Sequence, residues 1–431
     1  MLKEIRQVYK NSFLIKVASY STISVFVKLV SGFIVSKTMA ILIGPSGIAL
    51  TGNLSNFTQS LESLASLGLK NGTIKYVAES KENNLEFKQV VSSSFFFSIF
   101  IVLLTSSSLL IFSEALSMLV FNNIDFSFLF KLSALMMPFY SIHIFFISII
   151  NGLKKFKELV RVNIVGYVLI TLLMVIFIYY KQLNGALLAI VIGPFALFCS
   201  LFYQFNILRF IVGNIHITLI SREVIKRLAS FFSMTLFSGI MIPLIYLLIR
   251  NFIINNVGLN EAGYWEGTRK ISNYYMLFIY TLFDMYLLPV LSEDNKNIKF
   301  KAIILNFYKH ILPLVLVGFI VIYVFKVFII KLIFTVDFLN MKDLFGWQLI
   351  GDFFKIVSFT IAYQFMAKKM IRMYLICELL YMIFIYFTSV YFINNMGVLG
   401  AVKAHALSYL FYTFLMFFVF RHELFKKNMV K

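Results

Sequence analysis

The chain is poor in charge. Only 13% of its 431 residues are Asp, Glu, Lys or Arg, against about 25% in soluble domains. That excludes an ordinary water-soluble globular protein. Acidic side chains are the scarcest, 19 against 39 Lys and Arg, which leaves a net charge of +20. Cysteine is almost missing: Cys199 and Cys377 each sit inside an apolar run, so neither a disulfide framework nor a metal centre is implied. No P-loop, HExxH or GxSxG string occurs, which argues against ATP hydrolysis and the commoner hydrolase centres. Nor is there a hydrophilic stretch long enough for a glycosyltransferase site or a polymerase's large external loop. The chain is therefore read as non-enzymatic, with no cofactor or metal. Transport, if it occurs, must draw on an ion gradient, the membrane potential or the substrate's own gradient.

What the chain has in abundance is apolar length. Hydrophobic residues make up 60% of the sequence and aromatics 18%, with 51 Phe and 23 Tyr; mean hydropathy is +0.88. A membrane-spanning helix needs ~20 apolar residues, and runs of that kind fall near 13–43, 47–69, 89–113, 126–151, 158–180, 184–210, 223–252, 262–291, 302–330, 338–367, 371–393 and 397–420. This predicts an all-α membrane protein of about twelve spans. The first run is too long for a signal-peptide core and is expected to stay as the first span. Thr73 to Glu82 is expected to add a short amphipathic piece on the cytoplasmic surface. Lysine and arginine fall in the short loops, where they orient the chain, so nucleic acid is not an expected partner.

One set of alternate loops carries about 25 Lys and Arg, the other only Lys181, Arg250, Lys326, Lys331 and Lys342. The positive-inside bias predicts both termini in the cytoplasm and an even number of spans. The chain also repeats. Gly47-Ile48-Ala49-Leu50-Thr51-Gly52 resembles Gly263-Tyr264-Trp265-Glu266-Gly267 at a displacement of 216, and Gly185-Ala186-Leu187-Leu188-Ala189 resembles Gly400-Ala401-Val402-Lys403-Ala404 at 215. Two six-helix lobes, 1–215 and 216–431, follow as a parallel repeat, a plan in which the binding site is expected between the lobes near mid-membrane.

The charges at membrane depth are the candidate functional residues. Lys28 lies near the middle of the first span, where a lysine costs ~2.5 kcal/mol or more unless it faces protein or water. It is read as lining a cavity. Lys37 falls on the opposite helix face. The other deep cations are Lys16, Lys131, Arg269, Lys270, Lys309, Lys355 and Lys403, with Lys16, Lys131 and Lys309 near span ends and read as interfacial. Deep acids are fewer: Glu62, Asp284, Asp352 and Glu378, with Glu266 nearer the outer boundary. A net cationic interior suits an anionic substrate such as a phosphate. Lys28, Lys37, Arg269, Lys270, Lys355 and Lys403 are the candidates for gripping it, and Arg269 offers the planar fork that phosphate oxygens fit. Asp352, Glu62 and Asp284 are candidates for ion coupling or for charge pairing. Asp352 and Lys355, three apart, could pair with each other or meet substrate. His143, His310 and His405 lack metal-ligand spacing and read as packed interhelical residues.

Several strings resemble a known family. Ser36-Lys37 to Gly47-Ile48, and Leu67-Gly68-Leu69-Lys70-Asn71-Gly72-Thr73-Ile74-Lys75-Tyr76-Val77-Ala78-Glu79, look like its first two spans. Gly263-Tyr264-Trp265-Glu266-Gly267 with Tyr286-Leu287-Leu288-Pro289 looks like the eighth. Asp343-Leu344-Phe345-Gly346-Trp347-Gln348-Leu349-Ile350-Gly351-Asp352-Phe353-Phe354-Lys355 looks like the tenth. The family is the Wzx-type O-antigen and lipid-linked oligosaccharide flippases, within the multidrug/oligosaccharidyl-lipid/polysaccharide exporter superfamily, and the likeness is closest to its enterobacterial-common-antigen branch. It implies a MATE-like inner-membrane protein that moves an undecaprenyl-diphosphate-linked repeat unit to the periplasmic leaflet by alternating access. Implied partners are the lipid-linked oligosaccharide, membrane lipid, a surface-glycan polymerase and a chain-length regulator. Lys28 and Lys355 look like positions where the close branch also has lysine; Arg269 and Lys270 have no obvious match there.

Rival readings are a peptidoglycan lipid II flippase, disfavoured by the chain's length, and a cation-coupled multidrug exporter, which would favour acidic residues in the cavity. An O-antigen ligase or polymerase is disfavoured by the short outer loops.

Overall fold

The computed structural model describes residues 13–66, 69–229, 232–293 and 300–425, and within them it is helical without a strand. The sequence reads as helix because its apolar residues are not confined to one stripe: the helices are apolar nearly all round, as lipid requires when every backbone group must be satisfied internally. The large exposed side chains are accordingly hydrophobic, for example Phe100, Leu103 and Ile111, or Leu314, Val317 and Val324. Polar side chains go inward. Asn53 is buried and its Nδ2 donates to the Val120 carbonyl at 2.8 Å.

In chain order the first six spans and their surface helices are α1 (Phe13–Leu42), α2 (Gly44–Ser66), α3 (Leu69–Ser80), α4 (Asn84–Ile111), α5 (Ser113–Phe121), α6 (Ser127–Gly152), α7 (Phe156–Ser200), α8 (Phe205–Val212) and α9 (Arg222–Ala229). There follow α10 (Phe232–Asn256), α11 (Leu259–Leu282), a π turn Phe283–Leu287, α12 (Leu288–Glu293), α13 (Phe300–Val324), α14 (Lys326–Ile333), a 3-10 stretch Val336–Leu344, α15 (Phe345–Ala367), α16 (Ile371–Met396), α17 (Val398–Val419) and α18 (Arg421–Phe425).

Among the described residues, 10 segments are long and apolar enough to cross a membrane. The twelve expected spans are nonetheless present. Gln182, at φ 47° and ψ −123°, breaks α7 into two crossings. Helix α2, with Asn53, Asn56, Gln59 and Glu62, is more polar than the others but is 23 residues long. The amphipathic piece expected at Thr73 to Glu82 is α3, which begins four residues earlier.

The repeat is written in the backbone. Residues with positive φ pair across the chain: Lys154 (59°) with Lys369 (54°), and Gln182 (47°) with Gly397 (59°), each 215 positions apart. These are left-handed positions that L side chains rarely adopt, so coincidence is a poor explanation. Gly185 and Gly400, in the motif noted above, each lie so close to the backbone carbonyl eight residues earlier, Phe177 or Phe392, that a Cβ would collide with it. The small residue is needed because the chain doubles back tightly after the break.

By compactness the chain divides into two units, Met1–Leu42 with Asn53–Leu244, and Ile43–Gly52 with Ile245–Lys431. In the first, α1 packs on α7, and α6 packs on α3, α4 and α7. A core of Val77, Phe87, Val91, Ile149, Ile211 and Leu228 ties α3, α4 and α6 to α8 and α9. Buried Ser92 and Ser93 of α4 anchor the stretch between α8 and α9: their hydroxyls accept from the His216 and Ser221 N–H groups, both at 2.9 Å. In the second unit α17 is the central packing element, lying against both α15 and α16.

Candidate functional site

The first unit contains a cavity of about 670 Å³. Lys28 lines it from mid-α1. Bulky exposed residues Ile23, Phe26, Val30 and Phe33 mark the outward face of that helix; Lys28, two residues after Phe26, is turned ~200° away from it. Its side chain is exposed and its Nζ stands 6.0 Å from the centre of the Tyr167 ring, whose hydroxyl bonds Ser24. Glu62 comes from α2 and Lys70 from the first turn of α3. The Tyr140 hydroxyl of α6 hydrogen-bonds Glu62. Among the described residues neither Lys28 nor Lys70 has a carboxylate within 4.0 Å. Two ammonium groups thus face an open volume with their charges unclaimed by a close partner. His143 lies on the same wall; it bonds the Leu197 backbone, and its buried Nδ1 has no protein partner.

The second unit is organised differently. Asp352 of α15 is completely buried and receives four donors. Its Oδ2 accepts from Ser272 Oγ at 2.6 Å, from the Tyr275 hydroxyl and from Gln348 Nε2 at 3.1 Å, while His405 Nε2 lies 3.0 Å from Oδ1. Ser272 and Tyr275 are three apart on α11 and so share a face; Gln348 is one turn before Asp352 on α15. A buried carboxylate is tolerable only with such saturation.

A second network surrounds Glu266 on α11. Arg250 of α10 has no exposed surface and ion-pairs with Glu266, to which Arg269 Nη1 also donates at 3.0 Å. The Arg269 guanidinium stacks 3.7 Å from the Tyr246 ring centre and lies 5.0 Å from that of Trp265. Gly52 closes over the pair: a Cβ there would come within 3.0 Å of both Arg250 and Glu266.

The sequence-derived candidates separate on these facts. Lys28 and Glu62 share the cavity. Lys37 is half-buried and is not among the residues lining it. Lys355 is half-buried among aromatic rings, its Nζ 5.4 Å from the centre of Tyr409 and 5.8 Å from that of Tyr280, whose hydroxyl it hydrogen-bonds. The close basic neighbour of Asp352 is the His405 imidazole, by a hydrogen bond, not Lys355. Arg269 is engaged with Glu266, and Lys270 feels the same carboxylate. Lys403 lies 3.3 Å from Met396 Sδ and over the exposed Trp347 ring. Asp284, in the π turn, accepts from the Tyr363 hydroxyl at 3.0 Å, outside both networks. Lys131 and Lys309 are exposed, as interfacial residues would be, while the Lys16 side chain and the terminal lysines up to Lys10 lie outside the described residues.

One reading from the sequence is corrected. Arg250 was counted with the outer-loop cations, yet α10 runs on to Asn256 and holds it in the interior. Its signal was present: no glycine or proline follows until Gly258. Lys70, counted as a cytoplasmic loop cation, reaches the cavity; the alignment of α3 beside α6 that brings it there leaves no mark in local sequence.

The model of the family described as polysaccharide biosynthesis protein matches residues 14–295. The chain belongs to that family. The resemblance drawn from its first, second, eighth and tenth spans agrees with this membership, and so does the wider comparison. The family member is 27% identical over 413 residues to the Lipid III flippase of Escherichia coli (strain K12), covering 93% of this chain and 96% of that one. Among solved structures it is similar to an inward-facing multidrug resistance MATE family transporter of the MOP superfamily, with a TM-score of 0.76 at 17% identity, over 93% of this chain and 94% of that one. The Lipid II flippase MurJ, inward closed, gives a TM-score of 0.67 at 16% identity over 94% and 87%. At these identities the structures speak for the fold alone, an all-α MATE-like arrangement of two six-helix lobes; the apolar segments and the flippase relative support a multi-pass membrane protein.

Proposed function

We propose that this chain is a flippase that moves an undecaprenyl-diphosphate-linked oligosaccharide repeat unit, of an O-antigen or related surface glycan, from the cytoplasmic to the periplasmic leaflet by alternating access. The observation that carries the reading is the polar cavity of about 670 Å³ with Lys28 and Lys70 on its wall and no close carboxylate on either. Cations in a poorly polarisable surround attract a diphosphate strongly, and the relative described as a Lipid III flippase supports the lipid-linked class. A drug exporter for organic cations fits poorly with two lysines against one carboxylate on that wall. In this reading the inner membrane is the site of action, both termini are cytoplasmic, the lobes divide at 1–215 and 216–431, and a polymerase and chain-length regulator act on the delivered product. Lys28 grips the diphosphate and Lys355 serves the carboxy-terminal lobe, with Lys37 and Lys403 in lesser roles; Arg269 and Lys270, the other candidates, are drawn to Glu266 instead. The chain binds and moves its substrate without changing it.

The test is complementation of a strain lacking the gene. Lys28→Ala is expected to insert normally yet lower surface glycan by about 100-fold or more, the loss of one charge-assisted contact in a low-dielectric site, whereas Lys28→Arg keeps part of the activity. Mass spectrometry should find an undecaprenyl-linked intermediate accumulating in both the deletion and the Lys28→Ala strain. Normal glycan from the alanine variant would refute the role of Lys28.

A further inference from the structure

We infer that Glu62 is the resident counter-ion of the cavity's two lysines, and that an entering diphosphate takes its place electrostatically, so that anion binding draws a proton onto Glu62. The inference rests on the reading that the cavity takes an anionic headgroup. Glu62 interacts electrostatically with both Lys28 and Lys70, which come from different helices, α1 and α3. It does so from the cavity wall without closing an ion pair to either. A locked pair would be a structural strut. An unlocked one leaves the lysines available and halves the net positive charge of the empty cavity.

Charge counting gives the consequence. Two ammonium groups and one carboxylate leave a single net positive charge on the wall. A diphosphate diester brings two negative charges, so with Glu62 ionised the filled cavity would hold an uncompensated negative charge. In a poorly polarised interior that is unfavourable, and a carboxylate beside another anion takes up a proton. The proton comes from solvent and goes to a Glu62 carboxyl oxygen; the other oxygen still accepts from Tyr140. The titratable groups around Glu62 are Lys28 from α1, Lys70 from α3, Tyr140 and His143 from α6 and Tyr167 from α7, while α10 contributes only Gly239, Ile242 and Pro243. His143, with its unpartnered Nδ1, is the other place for the proton.

The experiment uses the full chain in lipid nanodiscs with dimethyl diphosphate, a diester that does not itself titrate near neutral pH. Calorimetry in buffers of different ionisation enthalpy counts protons. The wild type is expected to take up a fraction of a proton per diphosphate that grows toward one as pH rises and Glu62 becomes ionised in the empty cavity, with affinity then weakening toward ~10-fold for each further pH unit. Glu62→Gln should bind about 10-fold more tightly at neutral pH, with no proton uptake and a flat pH profile; His143→Asn should retain the uptake. Tyr140→Phe, which removes a donor to the charged carboxylate, should shift both readouts part of the way, and it stands in if Glu62→Gln does not fold. Binding by the wild type without proton uptake, unchanged in Glu62→Gln, would overturn the linkage and leave the anion site standing. Uptake that persists in Glu62→Gln but vanishes in His143→Asn would overturn it in favour of the imidazole. Failure of both wild type and Glu62→Gln to bind dimethyl diphosphate would overturn the anion reading as well.

Discussion

The two units carry their inward-facing charge in opposite ways. In the first, Lys28, Lys70 and Glu62 line a volume of about 670 Å³ without a closed ion pair. In the second, Asp352 is held by Ser272, Tyr275, Gln348 and His405, and Glu266 is held by Arg250 and Arg269. Charges closed by direct partners fix a structure; removing one member leaves the others to bear the full desolvation cost. Unsaturated charges beside a cavity contribute little to the fold and are available to a ligand. A charge at membrane depth is therefore not by itself a binding residue, and its partners decide which kind it is.

The largest effect that would sharpen this contrast is expected at Asp352. Asp352→Ala strands four donors and should lower stability by ~3–5 kcal/mol, seen as a large fall in Tm or as loss of folded protein from detergent extracts; a variant with wild-type Tm would break the distinction. Next comes Gly400→Ala, which drives a Cβ into the Phe392 carbonyl and should cost about 1–3 kcal/mol, with Gly185→Ala behaving alike because it shares the geometry. Arg269→Lys keeps the charge but loses the stacking on Tyr246, worth ~1 kcal/mol. At the small end, Lys70→Ala should move Tm hardly at all, within about 0.5 kcal/mol, while reducing glycan export in the complementation assay. A destabilised Lys70→Ala would place that lysine with the structural charges.

Much of this was legible in the sequence. Apolar run length predicts twelve spans because lipid fixes the length a helix must have, and the break between the fifth and sixth spans falls at the Lys181-Gln182 step where the predicted runs part. The glycine motifs carry the repeat because close backbone approach admits no Cβ, and the matching positive-φ residues express the same constraint. The depth of Lys28 marked it for a cavity wall. What could not be read were the pairings. Asp352 and His405 are 53 residues apart and Arg250 and Glu266 are 16 apart across a turn, so only helix packing brings them together. The same holds for Lys70, whose local surroundings look like any cytoplasmic loop.

The account turns on Lys28 facing an aqueous space that receives an anion. Its most direct test is Lys28→Cys in a Cys199→Ser, Cys377→Ser background, labelled with a charged, membrane-impermeant thiol reagent in inverted vesicles, and compared with Ser272→Cys in the same background. The account predicts fast labelling at 28 and negligible labelling at 272 and, with Lys28 intact, labelling of Gln59→Cys on the same cavity wall that dimethyl diphosphate slows. An unreactive cysteine at 28, or reactivity at 59 indifferent to the diphosphate, would contradict it.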